Sequence, residues 1–215
     1  MRRDPADRRL AGDRFALSPD RAAEPGTPQP SDTGRPARTS DGRWTAPFVM
    51  AAFNTRIVRR SNALQGWSYG RGLRYSEVMG TGRGPLGAVA AAGVSGGVFA
   101  FLAAMTVRPT RALLDRVLPA PGTGPSAATR ERGWFRMAVD AATESGARYH
   151  AEIRGRGDPG YTATAVMLGQ SGLALALDGD RLPDRAGSLT PATALGTVLA
   201  ERLRAAGHTY EVAPA

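Results

Sequence analysis

Few residues in this sequence could do chemistry. Cysteine and lysine are both absent, and all 28 basic residues are arginine. That removes thiolate nucleophiles, disulfides and cysteine zinc sites, together with Schiff-base and lysine-base catalysis. The two histidines, His150 and His208, stand far apart without metal-ligand spacing. No HExxH helix or Walker loop occurs, and GVSGG, although it spells GxSxG, lacks the strand-to-helix turn of a nucleophile elbow. The glycines of GVSGG (Gly93–Gly97) lack the strand-then-helix setting of a dinucleotide turn and read as close-packing positions. Two arginine groups remain, Arg56–Arg59–Arg60 and Arg71–Arg74–Arg83. Each is either a solvated basic face or a binder of phosphate-bearing groups.

The elements that must carry these residues follow from periodicity. Pro47 can open a helix in which Val49, Phe53, Ile57 and Leu64 recur at near-helical spacing, with Gly66 as the stop. Asn54, Arg56, Arg59 and Arg60 fall on its other faces. Leu73–Met79 alternates as a strand. Gly84–Val107 is 24 residues without a charge, long enough to span a bilayer. It is mostly alanine and glycine, and reads as a helix buried in the domain, covered by a partner, or dipping into a membrane. A short helix over 109–119 and a loop over 119–126 follow. Two runs flanking ESG, 133–141 and 147–155, read as a β-hairpin. Residues 162–177 form an apolar helix. Thr190 caps a helix with Pro191 at its first position, closed by Gly207, and TYEVAP is a last strand. The fold class is therefore α+β, an antiparallel sheet with packed helices.

Charge and composition divide the chain. Residues 1–43 hold six prolines and only Leu10, Phe15 and Leu17 as sizeable apolar groups. They are expected to be a disordered tail contributing little burial, ahead of one domain over 44–215. The start of the chain has no apolar run of the kind a signal peptide needs. Residues 44–116 carry nine arginines against Glu77 and Asp115, whereas residues 117–215 are neutral. The basic excess thus brackets the apolar run, which suits an anionic membrane surface. Nucleic acid is not expected, since no recognition fold accompanies the charge. The expected setting is cytoplasmic, peripheral to a membrane.

NTRIVRRSNAL (Asn54–Leu64), GDPGYTATAVML (Gly157–Leu168) and LTPATALG (Leu189–Gly196) resemble the carboxy-terminal half of saccharopine-dehydrogenase-like oxidoreductases. The resemblance runs from about Gly12 to Tyr210 and is nearest to the actinobacterial trans-acting enoyl reductases. It implies a half that covers substrate and helps form dimers, while a separate Rossmann half binds NAD(P)H. The substrate it implies is an enoyl group on a lipid or polyketide acyl chain carried by a synthase. The GxGxxG half has no counterpart in the sequence, so this chain alone is expected to bind no cofactor. Either the chain is part of a longer frame, or the nucleotide-binding half or a second subunit is its partner. By the same resemblance Asn54, Arg56, Arg59 and Thr162 lie near substrate, and Tyr161 is the candidate proton donor or a packing aromatic. The rival reading is a non-enzymatic module that sits on a membrane or lipid droplet.

Overall fold

The computed structural model describes residues 9–10, 12–31, 35–106, 110, 116 and 122–215. The helix expected over 109–119 and the arginines at 2, 3, 8, 108 and 111 lie outside the described residues. By its internal contacts the chain forms two units, Met1–Pro119 and Ala120–Ala215. Both are mixed helix and antiparallel sheet.

In the first unit, β1 (Ala37–Arg38), β2 (Arg43–Pro47) and β3 (Val78–Arg83) form an antiparallel sheet in that order, with a register shift between Trp44 and Thr45. The strand begins at Val78, not at Leu73 as expected: backbone at Leu73 and Tyr75 meets other groups. Gln29 Nε2 donates to the Leu73 carbonyl at 2.8 Å, and Arg59 donates to that of Tyr75 at 3.0 Å. Helix α1 (Ala51–Leu64) leads to a turn held by Asn62. Its Nδ2 donates to Gly70 O at 2.9 Å and its Oδ1 accepts from Tyr69 N–H at 2.8 Å. Helix α2 (Gly84–Thr106) leaves β3 directly and starts against the sheet. A Cβ on Gly87 would sit 2.7 Å from the Gly82 backbone, so only glycine permits this approach.

Helix α1 buries its polar side. Thr55, Arg59, Ser61 and Asn62 are buried, whereas Phe53 is 62% and Ile57 39% exposed, with Val49 and Met50 also exposed. The reason is the segment ahead of β1. Residues 13–29, expected within a disordered tail, present backbone carbonyls to α1. Arg56 Nε donates to Asp13 O at 3.0 Å, Arg59 to Arg14 O at 3.2 Å and Arg60 to Leu17 O at 2.6 Å. Phe15 lies under the Arg21 and Arg59 guanidiniums, 5.3 and 5.8 Å from its ring centre. Buried guanidiniums need such partners, and the 13–29 segment supplies them.

In the second unit, α3 (Ala127–Arg132) precedes β4 (Trp134–Ala142), β5 (Arg148–Arg156) and β6 (Thr209–Pro214), which form an antiparallel sheet in that order. The β4–β5 hairpin and β6 match the expected runs. One face is polar: Arg136 and Arg154 flank the buried Glu152 carboxylate, and His150 Nδ1 is 2.7 Å from Asp140 Oδ1. The other face alternates Phe135, Met137 and Val139 on β4, pairing across Ile153 and Ala151 to Tyr210 and Val212. Its glycine, Gly155, lies flat against the Phe135 ring; a Cβ there would overlap the ring. Met137, Tyr149 and Val212 on this face are exposed. Helix α4 (Thr162–Leu177) packs on α5 (Pro191–Ala205) through Ala174, Leu195 and Val198. Thr190 and Thr193 close a capping box at the start of α5, as the Thr-Pro signal predicts.

Candidate functional site

Two places carry the residues that the sequence singles out, one in each unit. On α1, Asn54 Nδ2 donates to Glu77 Oε2 at 2.8 Å, and the Tyr75 hydroxyl donates to Glu77 Oε1 at 3.0 Å. Both carboxylate oxygens are thus engaged. Burial, followed by the Glu77 charge and hydrogen bond, raises the Tyr75 pKa well above the usual phenol value. A phenol so shifted is a poorer acid, and its geometry suits holding Glu77 in place. Tyr75 and Glu77 share one side of an extended stretch, but their link to Asn54, 23 residues from Glu77, has no local signal in the sequence.

Arg59 is 4% exposed and meets Gln29 Oε1 at 3.1 Å, Thr55 Oγ1 at 3.3 Å and two carbonyls. The space beside it, lined by Phe15, Gln29, Asn62 and Trp67, is about 10 Å³, enough for one water at most. Arg56 donates to Asp13 O and, at 2.9 Å, to Ala52 O within its own helix. These arginines hold the 13–29 segment in place, and the geometry gives Arg59 no room for a ligand.

The second place is open. Tyr161 and Thr162 start α4, where Asp158 organises the turn: its Oδ1 accepts from Gly160 N–H at 2.9 Å and its carbonyl from Ala163 N–H at 3.0 Å. Asp158 N–H in turn donates to Arg130 O at 2.8 Å, tying α3 to the same turn. The Thr162 methyl rests on Gly157, whose φ of +89° and contact distance exclude a side chain. The Tyr161 ring lies over Gly124, with half of its surface exposed. Arg130, Tyr161, Thr162, Ala165 and Val166 line a groove of about 560 Å³, largely apolar along α4 with a cation and a phenol at its mouth. The depression is open to solvent and sets the Arg130 guanidinium and the Tyr161 phenol beside an apolar patch of α4. Arg130 is absent from the sequence-derived candidates because only its neighbour in the turn, not its spacing, marks it.

The parallel unit on which a Rossmann fold holds a dinucleotide is not among the described residues. That unit is a βαβ crossover with a glycine turn at a helix N-terminus, and both sheets here are antiparallel. Gly93, Gly96 and Gly97 lie inside α2, with nothing within 4 Å of a Cβ built on them.

Comparison with known proteins gives relatives of one kind. A protein of Mycobacterium tuberculosis H37Rv, provisionally named a trans-acting enoyl reductase, is 51% identical over 212 residues, which is 95% of this chain and 51% of the relative. Trans-acting enoyl reductases of Mycobacterium bovis BCG and Mycobacterium ulcerans are 49% and 47% identical, again over 95% of this chain and 50% of theirs. No family model matches the sequence, and no solved structure matches it. Along nearly its whole length this chain is similar to mycobacterial trans-acting enoyl reductases, and it spans about half the length of those relatives.

Proposed function

We infer that this chain is the substrate-covering and dimer-forming portion of an NAD(P)H-dependent enoyl reductase of the saccharopine-dehydrogenase-like type, acting on lipid or polyketide acyl chains. The observation that carries the reading is the 51% identity to a trans-acting enoyl reductase over half of that protein, supported by the open, largely apolar surface beside Tyr161. In this reading the nicotinamide half comes from the rest of such an enzyme or from a partner chain and supplies the hydride. The residues here bind and orient the acyl group and exclude water. Arg130 and Tyr161 meet the thioester end of the acyl group, with the Tyr161 hydroxyl placed to hydrogen-bond its carbonyl oxygen. Ala165 and Val166 cover the chain, and Thr162 fixes the turn. Asn54 and Arg56 act one step removed, by holding Glu77 and the 13–29 segment.

The test joins the purified chain to a separately expressed amino-terminal half of the Mycobacterium tuberculosis relative. NADPH oxidation is followed with an enoyl thioester of long chain. Co-sedimentation and a rate that neither half gives alone are expected, and Tyr161→Phe should lower that rate about tenfold or more. No complex and no rate from the mixture would overturn the reading.

A further inference from the structure

Helix α2 is longer than the sheet it starts on. Its 23 residues run about 35 Å at 1.5 Å each, whereas the six of β3 cover about 20 Å. Gly87 and Ala91 face the sheet, Ala91 with no exposure at all. Leu86, Val89 and Phe99 face away and are 84%, 70% and 75% exposed. Further on, Phe101, Leu102 and Met105 are exposed as well. Nothing polar interrupts this surface, because Ser95, the one hydroxyl between Gly84 and Met105, turns back to donate to Ala91 O at 2.7 Å. The segment Gly84–Met105 is long and apolar enough to cross a membrane and is only 6% buried.

The charge around the helix selects what covers it. Arg83 immediately precedes α2, and Arg38 and Arg43 stand on the adjoining strands. Asp41 pairs with Arg43 and Arg83, while Arg38 Nε donates to the Gly42 carbonyl at 3.4 Å. The next charges along the sequence are Arg108 and Arg111, and residues 44–116 carry nine arginines against two acids. An apolar rod bracketed by arginines matches a bilayer interface, where acyl chains take the side chains and lipid phosphates meet the guanidiniums.

We propose that α2 inserts into an anionic phospholipid surface, with Leu86, Val89, Phe99, Phe101 and Leu102, which surround the helix, in the acyl region and the arginines at phosphate level. The proposal stands independently of the enzymatic reading. Insertion into lipid would bring the chain to where long acyl chains reside.

The absence of cysteine makes the test clean. Ala100→Cys carries an NBD fluorophore on α2, and Glu144→Cys carries it on the β4–β5 turn as control. With vesicles of phosphatidylcholine plus phosphatidylglycerol, the label at 100 should shift to the blue and brighten several-fold while the control stays unchanged. The wild-type chain should float with these vesicles and not with phosphatidylcholine alone. The exposed triple variant Leu86→Ser/Phe99→Ser/Leu102→Ser should bind them about tenfold more weakly or worse. Circular dichroism checks that variant's fold; if it misfolds, the labelled proteins decide alone. Failure to float with anionic vesicles, or equal flotation with both kinds, overturns the proposal. So does unchanged binding by a folded triple variant. A label at 100 that is already buried without lipid, in a chain of doubled mass, would assign α2 to a second copy instead.

Discussion

Arg59 is the residue on which the first unit turns. It occupies the position of a surface arginine in the sequence, yet it is buried and hydrogen-bonded to groups up to 45 residues away. Arg59→Met should destabilise the unit by about 3 kcal/mol, since it leaves buried acceptors at Gln29, Arg14 and Tyr75 without a donor. Urea unfolding measures this. Arg59→Lys should recover little, because an ammonium cannot span partners set around a planar fork. Of its partners only Thr55 is a helical neighbour; those at Tyr75, Gln29 and Arg14 lie 16, 30 and 45 residues away, and sequence reasoning assigns Arg59 to substrate by resemblance. Asp178 gives a second residue-scale test. The hydrogen bond from Arg202 holds its carboxyl below the usual range, with the Arg202 and Arg181 charges adding to the effect. A folded-state pKa lower than the unfolded one, about 3.9, stabilises the fold above that value and ceases to as pH falls through the folded pKa. The stability gap between wild type and Arg202→Met should therefore be full near neutrality and close below about pH 4. Equal gaps at pH 7 and pH 3 would refute the linkage.

Elements were legible where the signal is local. Helix α4 and strand β6 fall where the sequence places them, and the Thr190–Pro191 start of α5 is a cap that announces itself. Helix α1 is placed, but not the side it buries. Its apolar stripe is real, but helical periodicity cannot tell a core from a partner surface, and the groups that bury its polar side lie in residues 13–29. The expectation that the first 43 residues add little stability changes accordingly. Removing residues 1–31 should strip the carbonyl partners of Arg56, Arg59 and Arg60 and lower the thermal midpoint by roughly 10 °C or more. A midpoint shift under about 2 °C would mean those contacts contribute nothing measurable. The start of α2 offers a finer probe. Gly87→Ala would place a methyl 2.7 Å from Gly82 backbone, and the enforced separation of helix and sheet should cost about 1–3 kcal/mol. Gly93→Ala, with open space around it, should instead be neutral or stabilising, since alanine is the better helix former.

At the scale of the molecule the exposed apolar surface is the main fact. Phe53 and Ile57 on α1, the α2 rod, Leu168 and Leu175 on α4, and Val212 on β6 all face solvent. Soluble chains seldom leave this much uncovered, and the relatives carry as much chain again. The chain alone should self-associate at micromolar concentration in light scattering. Phe53→Glu/Ile57→Lys should reduce that association while shifting urea stability by less than about 1 kcal/mol. How the groove at Tyr161 would meet a partner half was not legible, because Arg130 joins it through backbone at Asp158 rather than through any side-chain pattern.

The inverted helix has one more consequence. On most helices the side that holds the fold together is also the oily side, so a change of partner endangers the fold itself. On α1 the two duties sit back to back: Thr55, Arg59 and Asn62 secure the chain, and Phe53 and Ile57 meet whatever lies outside. Selection can therefore rewrite the outer row, exchanging one mate for another or abandoning mates altogether, while the inner row keeps the unit intact. Descent in such a lineage should show drift on one side of this helix and stasis on the other.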